Sequence, residues 1–185
     1  MNINDLKTKI YVWRLQHEMG EQLGSSCYIP YDSRIIGKEY INIGKNFYAY
    51  QNLRLEAFRV DELQNKNIIE IGNNVAVGNY CHIGAINKII IGDNVLMGSN
   101  VLITDHMHGQ VSDEEIKMAP NERKLYSKGA VIIEKNVFIG DGAKIMPGVK
   151  IGEGAIIGAN AVITHNVNNY SVMAGIPATE INKLR

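Results

Sequence analysis

An aliphatic residue returns at every sixth position along much of this chain, and that period excludes most folds. It is carried by Ile71, Val77 and Ile83, by Ile91, Met97 and Ile103, and by Ile133, Ile139, Ile145, Ile151, Ile157 and Ile163. In the run I-G-D-G-A-K, I-M-P-G-V-K, I-G-E-G-A-I, I-G-A-N-A-V, an Ala or Val also follows four positions after each leading aliphatic. Six matches neither the 3.6-residue helical period nor the simple alternation of a strand. Each hexapeptide therefore reads as a short strand plus a corner. Three of them make a coil of about eighteen residues, and coils stack at the β spacing of about 4.8 Å. The corners G-N-N, G-D-N, E-K-N and G-A-N place Asn or Gly where the backbone needs a positive φ, a structural use favoured over a phosphate-binding loop.

Three breaks in the period organise the rest. From Ile83 to Ile91 the step is eight residues, a small bulge between coils. From Ile103 to Ile133 it is thirty, and the polar segment Thr104 to Ala130 reads as a loop thrown out from the coil, a length that within a compact repeat points to function or disorder. At the N-terminus Ile3, Leu6, Ile10, Trp13 and His17 fall at helical spacing, which predicts a helix that caps the coils with His17 packed. The expected layout is a helical cap over 1–30, a mainly β coil over 31–170 with its excursion at about 104–130, and a tail over 171–185. That tail leaves the repeat through A-G-I-P-A and is expected to end in a short helix from Thr179 to Arg185.

Composition narrows the partners. Nineteen basic residues balance nineteen acidic ones, so no overall field attracts nucleic acid or an anionic membrane. No window approaches the roughly 20 apolar residues that span a bilayer, and no signal peptide is recognisable, so a cytoplasmic location is expected. Cys27 and Cys81 are too few for a disulfide framework, and Cys81, beside His82, faces the opposite side of a strand from it, which disfavours an acyl-cysteine route.

The densest polar cluster is Thr104, Asp105, His106, Met107, His108, where the last regular strand opens into the long excursion. Two histidines one residue apart point the same way on an extended chain, and an acidic neighbour can fix the tautomer of one. An imidazole near pKa 6.5 suits removal of a proton from an alcohol that attacks a thioester. Two other uses stay open: both histidines anchoring the loop to backbone, or H-x-H joined by His82 as a three-histidine zinc site with an open position. His165 falls at a coil corner and reads as solvated, and Asp113, Glu114 and Glu115 read as a solvated charge run.

The hexapeptides, T-D-H-M-H, the thirty-residue excursion and the terminal A-G-I-P-A together resemble the left-handed β-helix acetyltransferases from about Ile71 to Arg185. The likeness is to the sugar and polysaccharide O-acetyltransferases, the group with the maltose and galactoside enzymes. It implies a left-handed coil, a homotrimer with active sites between subunits, and direct transfer from acetyl-CoA, as co-substrate and without a metal, to a small-molecule or saccharide acceptor. It implies His106 as general base with His108 as second choice or helper, Asp105 beside them, and Asn79 and His82 toward the acceptor. It implies coenzyme contacts near Gly140, Asp141, Gly158, Ala159, Asn160 and Thr164. His165 stands where the family often has lysine and Thr179 where it often has a basic residue, which leaves Lys183 and Arg185 for the coenzyme's phosphates. Two further readings use the same coil: a zinc enzyme resembling the γ-class carbonic anhydrases, and a non-catalytic assembly surface.

Overall fold

Short strands separated by tight corners build three parallel sheets, which form the three faces of a coil. The computed structural model describes residues 3–60, 67–110 and 112–183. One face stacks Ile41–Ile43, Ile69–Ile71, Ile89–Ile91, Val131–Ile133 and Lys150–Ile151. The second stacks Tyr48–Ala49, Ala76–Val77, Leu96–Met97, Phe138–Ile139, Ile156–Ile157 and Ser171–Gly175. The third stacks Arg34–Ile36, Arg54–Ala57, His82–Ala85, Leu102–Thr104, Lys144–Ile145 and Val162–Ile163. Register follows the period: Ile83 pairs with Ile103, Ile103 with Ile145 and Ile145 with Ile163, all of them fully buried. Apolar side chains from all three faces meet in one continuous core, Cys81 among them.

The asparagine corners behave as their chemistry requires. Asn46, Asn74, Asn94 and Asn136 all adopt φ between 57° and 60°. Their side-chain amides form a ladder from coil to coil, Asn46 Nδ2 donating to Asn74 Oδ1 at 2.9 Å, Asn74 to Asn94 at 3.1 Å and Asn94 to Asn136 at 3.1 Å. The ladder satisfies amides that a bare left-handed residue would leave to water.

The ends depart from expectation in three ways. The coil reaches back to Leu23 and Tyr28, which bridge to Ile43 and Tyr48, so 23–30 joins the coil rather than the cap. The helix Ile3–Met19 forms, but it buries Thr8, Leu15 and Met19, while Ile3, Leu6, Ile10 and Trp13 stay exposed. The stripe at helical spacing is thus the outer face, and His17 stacks in the open on Trp13 with ring centroids 5.0 Å apart. At the other end the expected helix is a strand: Ala178–Lys183 runs antiparallel to Ser171–Gly175, because the chain reverses just after Gly175 and the returning segment pairs with the last coil's edge. Arg185 lies outside the described residues. No helix among the described residues is long and apolar enough to cross a membrane.

The excursion is partly ordered by its own pairing. His106–His108 and Leu125–Ser127 form an antiparallel ribbon, with His106 opposite Ser127 and His108 opposite Leu125. Glu115, expected in a solvated run, takes part in closing this segment: its carboxylate accepts from Gln110 N and its own N–H donates to Ser112 Oγ at 3.2 Å.

Candidate active site

The eight-residue step after Ile83 has a use that the sequence does not display. It produces a turn whose three successive N–H groups, from Ile86, Asn87 and Lys88, point at one carboxylate. Asp105 accepts from Ile86 N at 2.9 Å, and from Asn87 N and Lys88 N at 2.7 Å each. Asp105 is completely buried, and these backbone donors compensate its lost hydration.

The same carboxylate holds His106, with Asp105 Oδ1 3.0 Å from His106 Nδ1. An ionised carboxylate only accepts, so Nδ1 carries a proton, and in the neutral ring Nε2 is the nitrogen with the lone pair. Thr104 steadies the turn, its Oγ1 donating to His106 O at 3.0 Å and accepting from His106 N at 3.3 Å. The imidazole is 16% exposed, enough to meet a substrate at one edge.

His106 and His108 line one cavity of about 300 Å³ with His82, Arg54, Glu56, Phe58 and Leu125. The register explains the meeting. On the third face Glu56 pairs with Gly84 and Gly84 with Thr104, so a residue without a side chain separates two polar ones. A Cβ on Gly84 would stand 3.0 Å from His82 Nε2 and 3.7 Å from His106 Cε1. Both rings therefore flank the notch that this glycine leaves.

His82 has its own carboxylate. Its Nε2 is 3.1 Å from Glu56 Oε2, which by the same reasoning makes Nε2 the protonated nitrogen. Burial, then the Arg54 charge, hold His82 below the ordinary imidazole range, against the pull of Glu56, so it is neutral at pH 7. Glu56 is buried and meets two guanidinium groups: Arg54 Nη2 donates to Oε2 at 2.9 Å, and Arg34 Nε lies 2.9 Å from Oε1 in an ion pair too poorly aligned for a hydrogen bond. Sequence reasoning missed Glu56, Arg54 and Arg34. The only signal was their place in a coil before Ile71, where the repeat is hard to see.

The other expected residues lie elsewhere. Asn79 sits at a corner, where its Oδ1 accepts from Gln51 N at 3.1 Å, and it does not line the cavity. Gly140, Asp141, Gly158, Ala159 and Asn160 occupy the corner that follows the second face. There Asp141 Oδ1 accepts from Ser99 N at 2.6 Å, and a Cβ on Gly140 would fall 2.7 Å from Ala159 N, so stacking itself demands that glycine. Thr164 follows Ile163 as Thr104 follows Ile103, which puts it two coils along the same edge as the histidine cluster. Lys183 borders a separate cavity with Lys150 and Asn166 to Tyr170. Both thiols are pushed up by burial, which leaves no thiolate nucleophile at neutral pH. Among the described residues no three His, Cys, Asp or Glu side chains come together as a metal-ligand set, His82, His106 and His108 included.

Comparison with known proteins agrees with this layout. Residues 130–165 match the family model described as bacterial transferase hexapeptide (six repeats), and residues 88–104 that of the hexapeptide repeat of succinyl-transferase. WbbJ of Escherichia coli (strain K12), provisionally assigned as a lipopolysaccharide biosynthesis O-acetyl transferase, is 35% identical over 160 residues, 85% of this chain and 76% of the relative. Solved structures share the fold, among them the following two. The N-acyltransferase AntD from Bacillus cereus, bound to dTDP and 3-hydroxybutyryl-CoA, has a TM-score of 0.76 at 19% identity over 94% of this chain and 88% of its own. A maltose O-acetyltransferase from Clostridium difficile 630 has a TM-score of 0.60 at 24% identity over 97% and 88%. With the period-six coil, the histidine edge and a relative of that identity over that span, the chain belongs to the hexapeptide-repeat acetyltransferases, in the sugar and polysaccharide O-acetyltransferase group.

Proposed function

We propose that this protein transfers acetyl from acetyl-CoA directly to a hydroxyl of a sugar or surface-polysaccharide precursor, with His106 as general base. The observation that carries the reading is the buried Asp105 carboxylate fixing Nδ1 of His106, so that Nε2 faces a cavity with its lone pair available. As the acceptor oxygen attacks the thioester carbonyl carbon, Nε2 takes the hydroxyl proton. The tetrahedral intermediate then expels the CoA thiolate, the imidazolium returns the proton to sulfur, and the products are an acetyl ester and free CoA. Asp105 holds the ring and steadies its charge, as a positioning residue. His82 contacts the acceptor across the Gly84 notch, and His108 is the second-choice base.

In the same reading the coil is left-handed and the coenzyme lies on its C-terminal half, along the corner of Gly140, Asp141, Gly158, Ala159 and Asn160 toward Thr164, with Lys183 near its phosphates. Asn79 reaches an acceptor only if a second subunit brings one to its corner. The active form is a homotrimer in the cytoplasm. Support for assembly comes from the outer side of the second face, where Tyr48, Ala76, Leu96, Phe138, Ile156 and Val172 stack in register as an apolar column, and Tyr48, Leu96 and Phe138 are 41%, 51% and 41% exposed.

The test is acetyl-CoA-dependent thiol release against a saccharide panel, with His106→Ala alongside. Release that requires a sugar and falls about 100-fold to 10,000-fold in the variant supports the reading. Full turnover in the variant moves the base to His108, and release that requires an amine instead of a hydroxyl overturns O-transfer.

A further inference from the structure

The paired arginines beside His82 do more than neutralise Glu56. Arg34, Arg54 and His82 are consecutive in one outward column of the third face, so each is about one β spacing, ~4.8 Å, from the next. Both guanidinium groups approach the single Glu56 carboxylate, each through one nitrogen. The carboxylate is 4% exposed, while Arg34 and Arg54 are 64% and 52% exposed above it. One arginine in a forked pair would suffice to balance one carboxylate. Two arginines, each sparing most of its five N–H donors, leave a local surplus of one positive charge. His82 adds none to it, being neutral at pH 7. Among the described residues neither arginine contacts a second carboxylate. The surplus is local, since the chain as a whole carries no net charge.

We infer that the acceptor carries an anionic oxygen group, a phosphate or a carboxylate, that sits on Arg34 and Arg54 while its hydroxyl reaches His106. Arg54 lines the cavity of His106 and His108, and its coil lies two register steps before the one that bears His106, a span of ~10 Å. That span suits a sugar unit with its charged substituent. The pair also lies on the N-terminal side of the base, whereas the proposed coenzyme contacts lie on the C-terminal side, which assigns the arginines to the acceptor and not to the coenzyme's phosphates. The inference rests on the acetyl-transfer reading above.

Titration calorimetry at fixed ionic strength, with CoA, glucose, glucose 1-phosphate and glucuronate as separate probes, tests it on the full chain and on R34Q/R54Q. Glucose 1-phosphate or glucuronate is expected to bind at least about tenfold more tightly than glucose, and the one preferred identifies the anion. The preference should vanish in the double variant while CoA binding persists. Equal or undetectable binding of all three sugars to the wild type, with CoA still bound, overturns the inference alone. Loss of CoA binding in R34Q/R54Q reassigns the pair to the donor and also overturns it. Failure of the wild type to bind CoA sinks the acetyl-transfer reading instead. Should the double variant not fold, Arg34→Lys, which keeps the charge but not the fork, is expected to weaken the anionic probe about threefold or more.

Discussion

A single hydrogen in place of a methyl group decides whether two imidazoles can share one cavity. Gly84 does not need a left-handed backbone, so Gly84→Ala is conformationally permitted, yet its Cβ would meet His82 Nε2 at 3.0 Å and displace the ring. The expected outcome is a melting temperature near that of the wild type with kcat/KM down about tenfold or more, read from steady-state kinetics and thermal unfolding side by side. His82 also makes a stability prediction. Its folded pKa lies below the ordinary value of about 6.5, so the unfolded chain binds the proton more readily. Stability is therefore unaffected above that value and falls as pH drops from about 6.5 through the lowered folded pKa. Chemical denaturation at pH 7.5 and 5 should show this acid loss in the wild type and a smaller one in His82→Asn. At this scale the sequence was partly legible. T-D-H-M-H exposed His106 and its partner because they are chain neighbours, whereas Glu56 lies in an unremarkable R-L-E-A, 26 residues from the histidine it holds, and only register joins them.

Elements that look like irregularities in the repeat build the cavity of the candidate site. The bulge after Ile83 exists to aim three N–H groups, and the excursion begins with a ribbon that fixes His106 and His108 over the same cavity. Asp105 links the two, so Asp105→Ala should damage both: three backbone donors lose their acceptor, at a cost of about 1–3 kcal/mol for the buried Ile86 N–H and less for the part-buried N–H groups of Asn87 and Lys88. The expected result is a loss of several kcal/mol in equilibrium unfolding, together with faster hydrogen exchange at Ile86 to Lys88 and at the 106–108 strand. Period counting found the bulge and the excursion but could not assign them, because period reports only what repeats. It also began the coil at residue 31, eight residues late: Leu23 and Ile29 already take leading positions, and of Leu23, Ile29, Ile43, Ala49 and Leu55 only two are followed by glycine. The C-terminal strand was misread for a related reason: A-T-E-I-N-K has no turn signal of its own and takes its conformation from the strand it lies against.

Across the whole molecule, the outward apolar column on the second face predicts how copies meet. Phe138→Glu places a charge in the middle of that column and should convert a trimer into monomers in sedimentation, with the coil's far-ultraviolet dichroism retained. Acetyl transfer should fall with assembly if neighbouring subunits complete the site. The coil architecture itself was the most legible level, since six-residue spacing leaves few alternatives, and the hidden level was what terminates it. A stack of parallel coils has no intrinsic length, and its first and last turns are open templates for another copy. At one end the helix Ile3–Met19 lays Leu15 and Met19 over the first turn. At the other, Ala178–Lys183 pairs in the opposite direction and carries Glu180 and Lys183, so the next rung of parallel strand meets a reversed and charged edge. The reversal that displaced the expected helix thus covers the last rung of the second face with a strand of opposite direction, so that a further parallel coil finds no continuing register on that face.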